Sequence, residues 1–276
     1  MLSSDLSVAS RQPEIIAVAN QKGGVGKTTT TINLATALAA TKRDVLIIDM
    51  DPQGNASTGL GCDRSDRKKS SYEVIMGEVS IAEAIVDTIV PGLHLVPSTI
   101  DLTGAELELV DAEKRTFRLR RAFRNPVLEN YDYVLIDCPP SLNLITLNTL
   151  AAANIVIVPL QCEFFALEGL SLLLQTIETV KANFNPGLEI GGVVLTMFDS
   201  RNNLSEQVAL DVRNYLGNKV FKTVIPRNVR VSEAPSHGRP ALLYDLKCTG
   251  SQAYIALAAE FLRRRKKEKS EKNKNT

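Results

Sequence analysis

The stretch VANQKGGVGKTTTTINLATAL, residues 18–38, places Lys22 and Lys27 five positions apart in a glycine-rich turn between an apolar run and a helical pattern. Glycines let a backbone curl until its N–H groups point inward, and the first turn of a helix adds unpaired N–H groups and a positive dipole. Such a turn is built for phosphate. Within KGGVGKT (22–28), Lys22, Gly23, Gly24, Val25 and Gly26 form the cradle, and Lys27 is placed to reach β- and γ-phosphates. Thr28 offers a hydroxyl to Mg2+, and Thr29 follows it in the first helical turn. The general pattern G-x-x-x-x-G-K-[ST] fails at its first position, which is Gln21; Lys22 and two glycines follow instead. One lysine suffices to hold a phosphate, so the other needs a separate reason.

Three carboxylates complete the candidate chemistry. VLIIDMDPQGN (45–55) carries Asp49 and Asp51 at the end of one apolar run, and YVLIDCPPS (133–141) carries Asp137 at the end of another. A lone Asp at a strand terminus is usually a cap or turn residue. Three converging on a phosphate loop can hold the hydration shell of Mg2+ and orient an attacking water.

The elements that must position these groups are short β-branched runs: IIAVAN (15–20), VLIID (45–49), LHLVP (93–97), YVLID (133–137), NIVIVPL (154–160), IGGVVLTMF (190–198) and FKTVIP (221–226). Most are apolar throughout, as strands covered on both faces are. Helical patterns lie between them, with Leu167, Leu170, Leu174 and Ile177 on one face and Tyr254, Leu257, Ala258 and Phe261 on another. Strand alternating with helix predicts an α/β fold with a doubly wound, mainly parallel sheet flanked by helices, and ligands in such folds bind beyond the carboxyl ends of the strands. No internal repeat or long linker divides the chain of 276 residues, so one domain is expected over 14–262, after a flexible leader at 1–13. DRSDRKKSS (63–71) reads as a surface loop.

Composition narrows the class. Apolar content of 44% and charged content of 23% exclude a wholly disordered or fibrous chain. The net charge of +1 hides an asymmetry, because the tail at 263–276 holds eight Lys or Arg against two Glu, and is expected to be disordered and solvated. Auxiliary attraction of that tail to nucleic acid is the alternative. The four cysteines show no C-x-x-C spacing and only two histidines accompany them, which disfavours a disulfide framework or a zinc site. There is no apolar run of membrane-spanning length and no secretory signal pattern, so a cytoplasmic location is expected.

The K-G-G-x-G-K-T form resembles the deviant Walker A loop of the ParA/MinD ATPases. NQKGGVGKTTTTINLA, DMDPQGNASTGLG, DCPPSL, PLQCEFFALEGL, LTMFDSRNNLS and VIPRNVRVSEAPSHGRP extend the match over roughly residues 14–262 and are similar to the chromosomal ParA proteins, often called Soj. The resemblance implies a Mg2+-dependent, slow ATPase whose Lys22 crosses a dimer interface to the nucleotide of the other subunit. It implies further that Asp51 positions the water, that Asp137 acts on Mg2+ through water with Asp49 behind it, and that Pro226 and Asn228 lie near adenine and ribose. Arg201 and Arg230 match positions that contact double-stranded DNA without regard to sequence. A ParB-type centromere-binding protein would stimulate hydrolysis, and the protein would be nucleoid-associated. An N-terminal helix-turn-helix domain, and with it autorepression, is not expected. The sequence after Leu262 contains no apolar residue, unlike the amphipathic membrane helix that ends MinD-type proteins. The competing reading is a ParA-like ATPase that positions a non-DNA cargo or scaffold.

Overall fold

The computed structural model describes residues 12–272 and residue 274. Most of the expected leader, residues 1–11, lies outside the described residues. One sheet has the order β3-β4-β2-β5-β1-β6-β7. Its strands are β1 Glu14–Val18, β2 Val45–Asp49, β3 Val86–Asp87, β4 Leu93–Val96, β5 Tyr133–Asp137, β6 Ile155–Gln161 and β7 Glu189–Thr196. Neighbours pair in parallel except the two-residue β3, which runs antiparallel to β4. The α-helices are α1 Lys27–Ala39, α2 Asn55–Gly59, α3 Ser71–Met76, α4 Ile81–Ala84, α5 Ala105–Glu108 and α6 Arg118–Ala122. They continue with α7 Leu144–Ala152, α8 Ala166–Asn183, α9 Asn203–Leu216, α10 Val229–Glu233, α11 Ala241–Tyr244 and α12 Thr249–Lys272.

Successive strand residues feed opposite faces, and both faces are covered. Ile47 packs with Leu34 and Leu38 of α1 and with Tyr254 and Phe261 of α12. Leu46 and Ile48 pack on the other side with Ile75, Leu102 and Ile136. Val156 and Val158 continue that second face against Leu170, Leu173 and Ile177 of α8. Every residue of β2 and β5 is buried, which is why these runs carry no polar alternation until the terminal aspartate. This is the doubly wound α/β fold that the alternation of runs predicts.

Four local expectations need correction. FKTVIP (221–226) is not a strand of the sheet: only isolated bridges lie at its ends, from Val220 to Val193 of β7 and from Pro226 to Phe198 beyond the end of β7. The N–H groups of Lys222 and Thr223 point instead at the Glu260 carboxylate on α12, at 2.8 and 2.9 Å, so the ladder cannot continue through them. On α8 the buried face is Leu170, Leu173, Ile177 and Val180, while Leu167 is exposed. The tail expected to be disordered from residue 263 is helical to Lys272, where α12 continues past its apolar face. Arg264 anchors it by stacking over the Phe221 ring, 4.2 Å from the centroid, and by donating to Glu260 and to the carbonyls of Asn218 and Val220; Arg265 pairs with Glu14 of β1. Finally, the 63–71 loop is not wholly solvated, since Arg67 is 7% exposed. Its guanidinium donates to the carbonyls of Cys62 and Ser98 and to the hydroxyl of Thr58, so it braces α2 from below.

Glu260 therefore joins α12 to the irregular segment beside β7. Burial alone would raise its pKa, but the N–H groups of Lys222 and Thr223, the Thr223 hydroxyl and Arg264 outweigh burial and hold the carboxyl at about 2, below its ordinary 4.5. A carboxyl with a lowered folded-state pKa stabilises the fold above its unfolded pKa, and that contribution is lost as pH falls toward the folded value. Glu260→Ala is expected to lower unfolding free energy by about 2–4 kcal/mol at neutral pH. Urea titrations should show the gap between variant and wild type narrowing as pH drops below about 4.5 toward about 2.

Candidate functional site

Parallel register brings the strand ends level. Asp137 of β5 is the Cα partner of Val18 on one side and of Asp49 on the other, so the segments leaving β1, β2 and β5 emerge side by side at the carboxyl edge. After β1, Asn20 fixes the start of the loop: its amide donates to the Pro159 carbonyl at 2.7 Å and its Oδ1 accepts from the Lys22 N–H at 3.0 Å. Gly24 (φ 74) and Gly26 (φ 88) take left-handed conformations that open the curl. A Cβ at Gly23 or Gly24 would meet nothing within 4 Å, so the concave side of the loop is open. The loop is held from behind by the buried Val25, whose carbonyl accepts from the Thr196 hydroxyl of β7 at 2.8 Å.

Helix α1 begins here with Gly26 as its N-cap, no side-chain cap and no acid in its first turn. Its N-terminal N–H groups are therefore left to an external acceptor. Lys27 is 6% exposed, and its ammonium curls back to donate to the Lys22 carbonyl at 3.0 Å. Burial lowers its pKa, and the nearby charges of Asp137, Cys138 and Asp51 oppose that shift. A cation is thus held against the loop that an anion would fill. Gln21 Nε2 is also buried without an acceptor.

The three aspartates divide into separate tasks. Asp137 Oδ2 accepts from the Thr28 hydroxyl at 2.7 Å and Oδ1 from the Thr31 hydroxyl at 3.0 Å, which ties α1 to the central strand. Burial, then the neighbouring Asp49 charge, pushes the Asp137 carboxyl up to about 8. Asp49 is fully buried and serves its own loop: Oδ2 accepts from the N–H and hydroxyl of Ser57 at 2.8 and 2.7 Å, and Oδ1 from the Asp51 N–H at 3.2 Å. Burial raises its carboxyl to about 6 against those bonds. Asp51 Oδ1 accepts from the Gln53 N–H at 3.0 Å, and its Oδ2 has no protein donor among the described residues. Asp51 is therefore the strand-end carboxylate with an oxygen to spare.

These residues suit Mg2+ alongside a phosphate. Asp137 lacks a cationic partner within salt-bridge distance among the described residues, and the Thr28 hydroxyl stands on it. No group of three or more His, Cys, Asp or Glu among the described residues could hold a metal by itself. Thr28 would hold the ion with Asp137 behind it, the remaining positions falling to phosphate oxygens and water, as this cation prefers.

Lys22, by contrast, points outward. It and Glu163, which lies between β6 and α8, form an ion pair with both side chains 44% exposed. Glu163 escapes sequence reading because 141 positions separate the partners and Glu163 belongs to no phosphate motif. Thr31 and Ser57 were likewise missed; Thr31 alone had a signal, its place one helical turn after Lys27. Pro226 sits in the bridge to Phe198, and Asn228 caps α10, accepting from the Val231 N–H at 3.2 Å and donating to Thr249 at 2.9 Å. Asn228 is thus committed to the fold. Arg201 and Arg230 are exposed, but neither is free: Arg201 donates twice to Asp199 at 2.9 Å, and Arg230 lies 3.1 Å from Glu233 and 3.8 Å from Asp245. Among the described residues no helix is long and apolar enough to cross a membrane.

Parallel strands ending level behind an uncapped helix and a buried lysine make this a P-loop nucleotide-binding fold, and Lys22 marks its deviant Walker A type. A family model described as an AAA domain matches residues 13–190. The chain is 61% identical over 91% of its length to the chromosome partitioning protein ParA of Caulobacter vibrioides, covering 94% of that protein. It is 51% identical over 90% of its length to the sporulation initiation inhibitor protein Soj of Bacillus subtilis, covering 97% of it. A Mycobacterium smegmatis structure described as cobyrinic acid a,c-diamide synthase, with bound ATP analog and magnesium, superposes with a TM-score of 0.81 at 40% identity, over 92% of this chain and 96% of that one. The chain belongs to the ParA/Soj family of chromosome-partitioning proteins.

Ser57 links the acidic end of β2 to the loop after β4, because its hydroxyl also accepts from the Ser98 N–H at 3.0 Å. Ser57→Ala would strand that N–H and strip one donor from the buried Asp49. The expected cost is about 1–3 kcal/mol of unfolding free energy, read by urea titration.

Proposed function

We propose that this protein is a DNA-partition ATPase in which ATP closes a sandwich dimer, the dimer holds DNA without regard to sequence, and hydrolysis releases it. The observation that carries the reading is the opposite disposition of the two lysines. Lys27 is buried against its own loop and can serve only the phosphates held there, whereas Lys22 sits on the outer rim and is free to reach a neighbouring subunit once it leaves Glu163. An ATP tetra-anion between two protein faces needs positive charge from both, so a lysine supplied in trans couples dimerisation to nucleotide.

In this reading the N–H groups of 23–29 and Lys27 hold the phosphates, and Asp51 accepts a proton of the attacking water through its spare oxygen. Bound Mg2+ would neutralise phosphate charge during transfer. Thr28 would offer its hydroxyl oxygen to that ion, with Asp137 holding the hydroxyl in place. Pro226 lies beside the adenine; Asn228, being spent on the α10 cap, acts there by shaping the backbone. A ParB-type partner stimulates hydrolysis, which keeps the nucleoid-associated form long-lived in its absence. The name of the Caulobacter relative, and the ATP analog and magnesium bound in the Mycobacterium structure, support this reading.

Lys27→Ala should abolish ATP binding in calorimetry, while Lys22→Ala should leave monomer binding intact and remove the ATP-dependent dimer in light scattering. A normal Lys22→Ala dimer would make that residue a loop charge only.

The DNA contact is electrostatic and can be weighed by salt. Arg201 and Arg230 must exchange their carboxylate partners for phosphates, and a dimer offers four such arginines against two in a monomer. At about −0.9 per neutralised phosphate, log K for the ATP dimer should fall by roughly 3.6 per decade of salt. Arg201→Ala should reduce that slope by about 1.8 in fluorescence anisotropy. An unchanged slope would remove Arg201 from the interface.

A further inference from the structure

Residues 114–124, KRTFRLRRAFR, hold six of the chain's basic side chains and no acid, in a protein whose net charge is only +1. They form α6 and the turn before it. The site residues described above lie at the carboxyl edge of the sheet, but α6 packs on α7 and α3, and its neighbour Phe117 stacks edge-on against Phe184 at the far end of α8. Two cavities meet there. One, of about 860 Å³, is walled by Phe117, Lys114, Arg120 and Arg124, with Glu113 at its edge. The other, of about 320 Å³, presents the partly exposed Met76, Val79 and Ala122 over the buried Val74 and Ile81, with Ser80 and Asn125 beside them. Arg118 and Arg121 line both.

Lys114 pairs with Glu113 at 3.9 Å, Arg115 donates to the Val110 carbonyl and Arg120 to that of Phe184, but most of these charges have no ionic partner among the described residues. Among the described residues no carboxylate lies within salt-bridge distance of Arg118, Arg120, Arg121 or Arg124. Arg118 donates one Nη2 bond to the Met76 carbonyl at 3.2 Å, and its buried Nε has no acceptor. Like charges this close repel one another, so leaving them unpaired costs stability unless something else uses them.

We propose that α6 and its two cavities form a docking site for an acidic, amphipathic segment of a partner protein. Carboxylates of the segment pair with Arg118, Arg121 and Arg124, and an apolar side chain enters the smaller cavity against Met76, Val79 and Ala122. The second cavity decides between partners: a nucleic-acid backbone has phosphates for the arginines but nothing to place among those aliphatic groups, whereas an acidic peptide with a Leu or Phe has both. The concave shape also suits a single segment better than a duplex, which docks on long ridges and stripes. Arginine is suited to the role because its planar fork matches a carboxylate with two bonds.

Fluorescence anisotropy of the full chain tests this with three labelled probes: a peptide repeating Glu-Glu-Leu-Leu, an all-Glu peptide of equal length, and a 30-base-pair duplex. The Glu-Leu peptide should bind the wild type more tightly than the all-Glu peptide. Arg121→Glu with Arg124→Glu, both at exposed positions, should weaken it by about tenfold or more, and Val79→Asp, which spoils only the apolar cavity, by a similar factor. Circular dichroism checks that each variant is folded. Equal affinity of the Glu-Leu peptide for wild type and both variants would overturn the proposal. So would loss of duplex binding in the arginine variant with peptide binding unchanged, which would assign the patch to nucleic acid.

Discussion

Two carboxylates buried side by side govern the architecture of this site. Asp49 and Asp137 end neighbouring parallel strands in the same register, and neither has any exposure to water. Carboxylates so placed repel each other and are costly to bury, and the protein meets that cost with hydroxyls rather than cations. Thr28 and Thr31 serve Asp137, while Ser57 serves Asp49. Each solution also fixes a moving part. The threonines clamp the start of α1 to the centre of the sheet, and the serine clamps α2 and the turn that presents Asp51. The glycine loop and Asp51 are therefore positioned by the same pair of buried carboxyl groups.

This explains why three aspartates that look alike in sequence act differently. Asp49 and Asp51 are two residues apart, but the first points into the sheet, where its oxygens are consumed, and the second points past the strand end, where one oxygen is spare. Strand alternation alone would put residues two apart on one face; the division arises because β2 ends at Asp49 and Asp51 lies in the turn beyond it. Residue types and spacing show only that acids cluster at strand ends, and the family resemblance supplied the separate roles; which one keeps an oxygen free depends physically on Ser57, a contact made across a loop.

The fold itself was legible because covered parallel strands leave runs without polar alternation, and six such runs from Ile15 to Phe198 are strands of the sheet. The segment at 221–226 has the same composition yet stays irregular, since a single glutamate on α12 takes two of its N–H groups. The basic stretch after Leu262 read as a solvated tail because charge runs usually are. Its helicity comes from tertiary partners, with Arg264 on Phe221 and Arg265 on Glu14, that lie far away in the chain. The glycine loop was legible because it is local. The Lys22–Glu163 pair was not, because nothing in either segment points to the other.

If Lys22 acts on the nucleotide of the opposite subunit, two defective proteins should restore activity when mixed. A Lys22→Ala chain keeps Lys27 and Asp51, and an Asp51→Ala chain keeps both lysines, so both retain a nucleotide loop. In a mixed dimer the Lys22→Ala subunit would receive Lys22 from its partner and own an intact Asp51, which makes one complete site. Phosphate release should then appear in the mixture although neither protein alone produces it. A mixture as inactive as its two components would rule out action in trans and place Lys22 on the nucleotide of its own subunit.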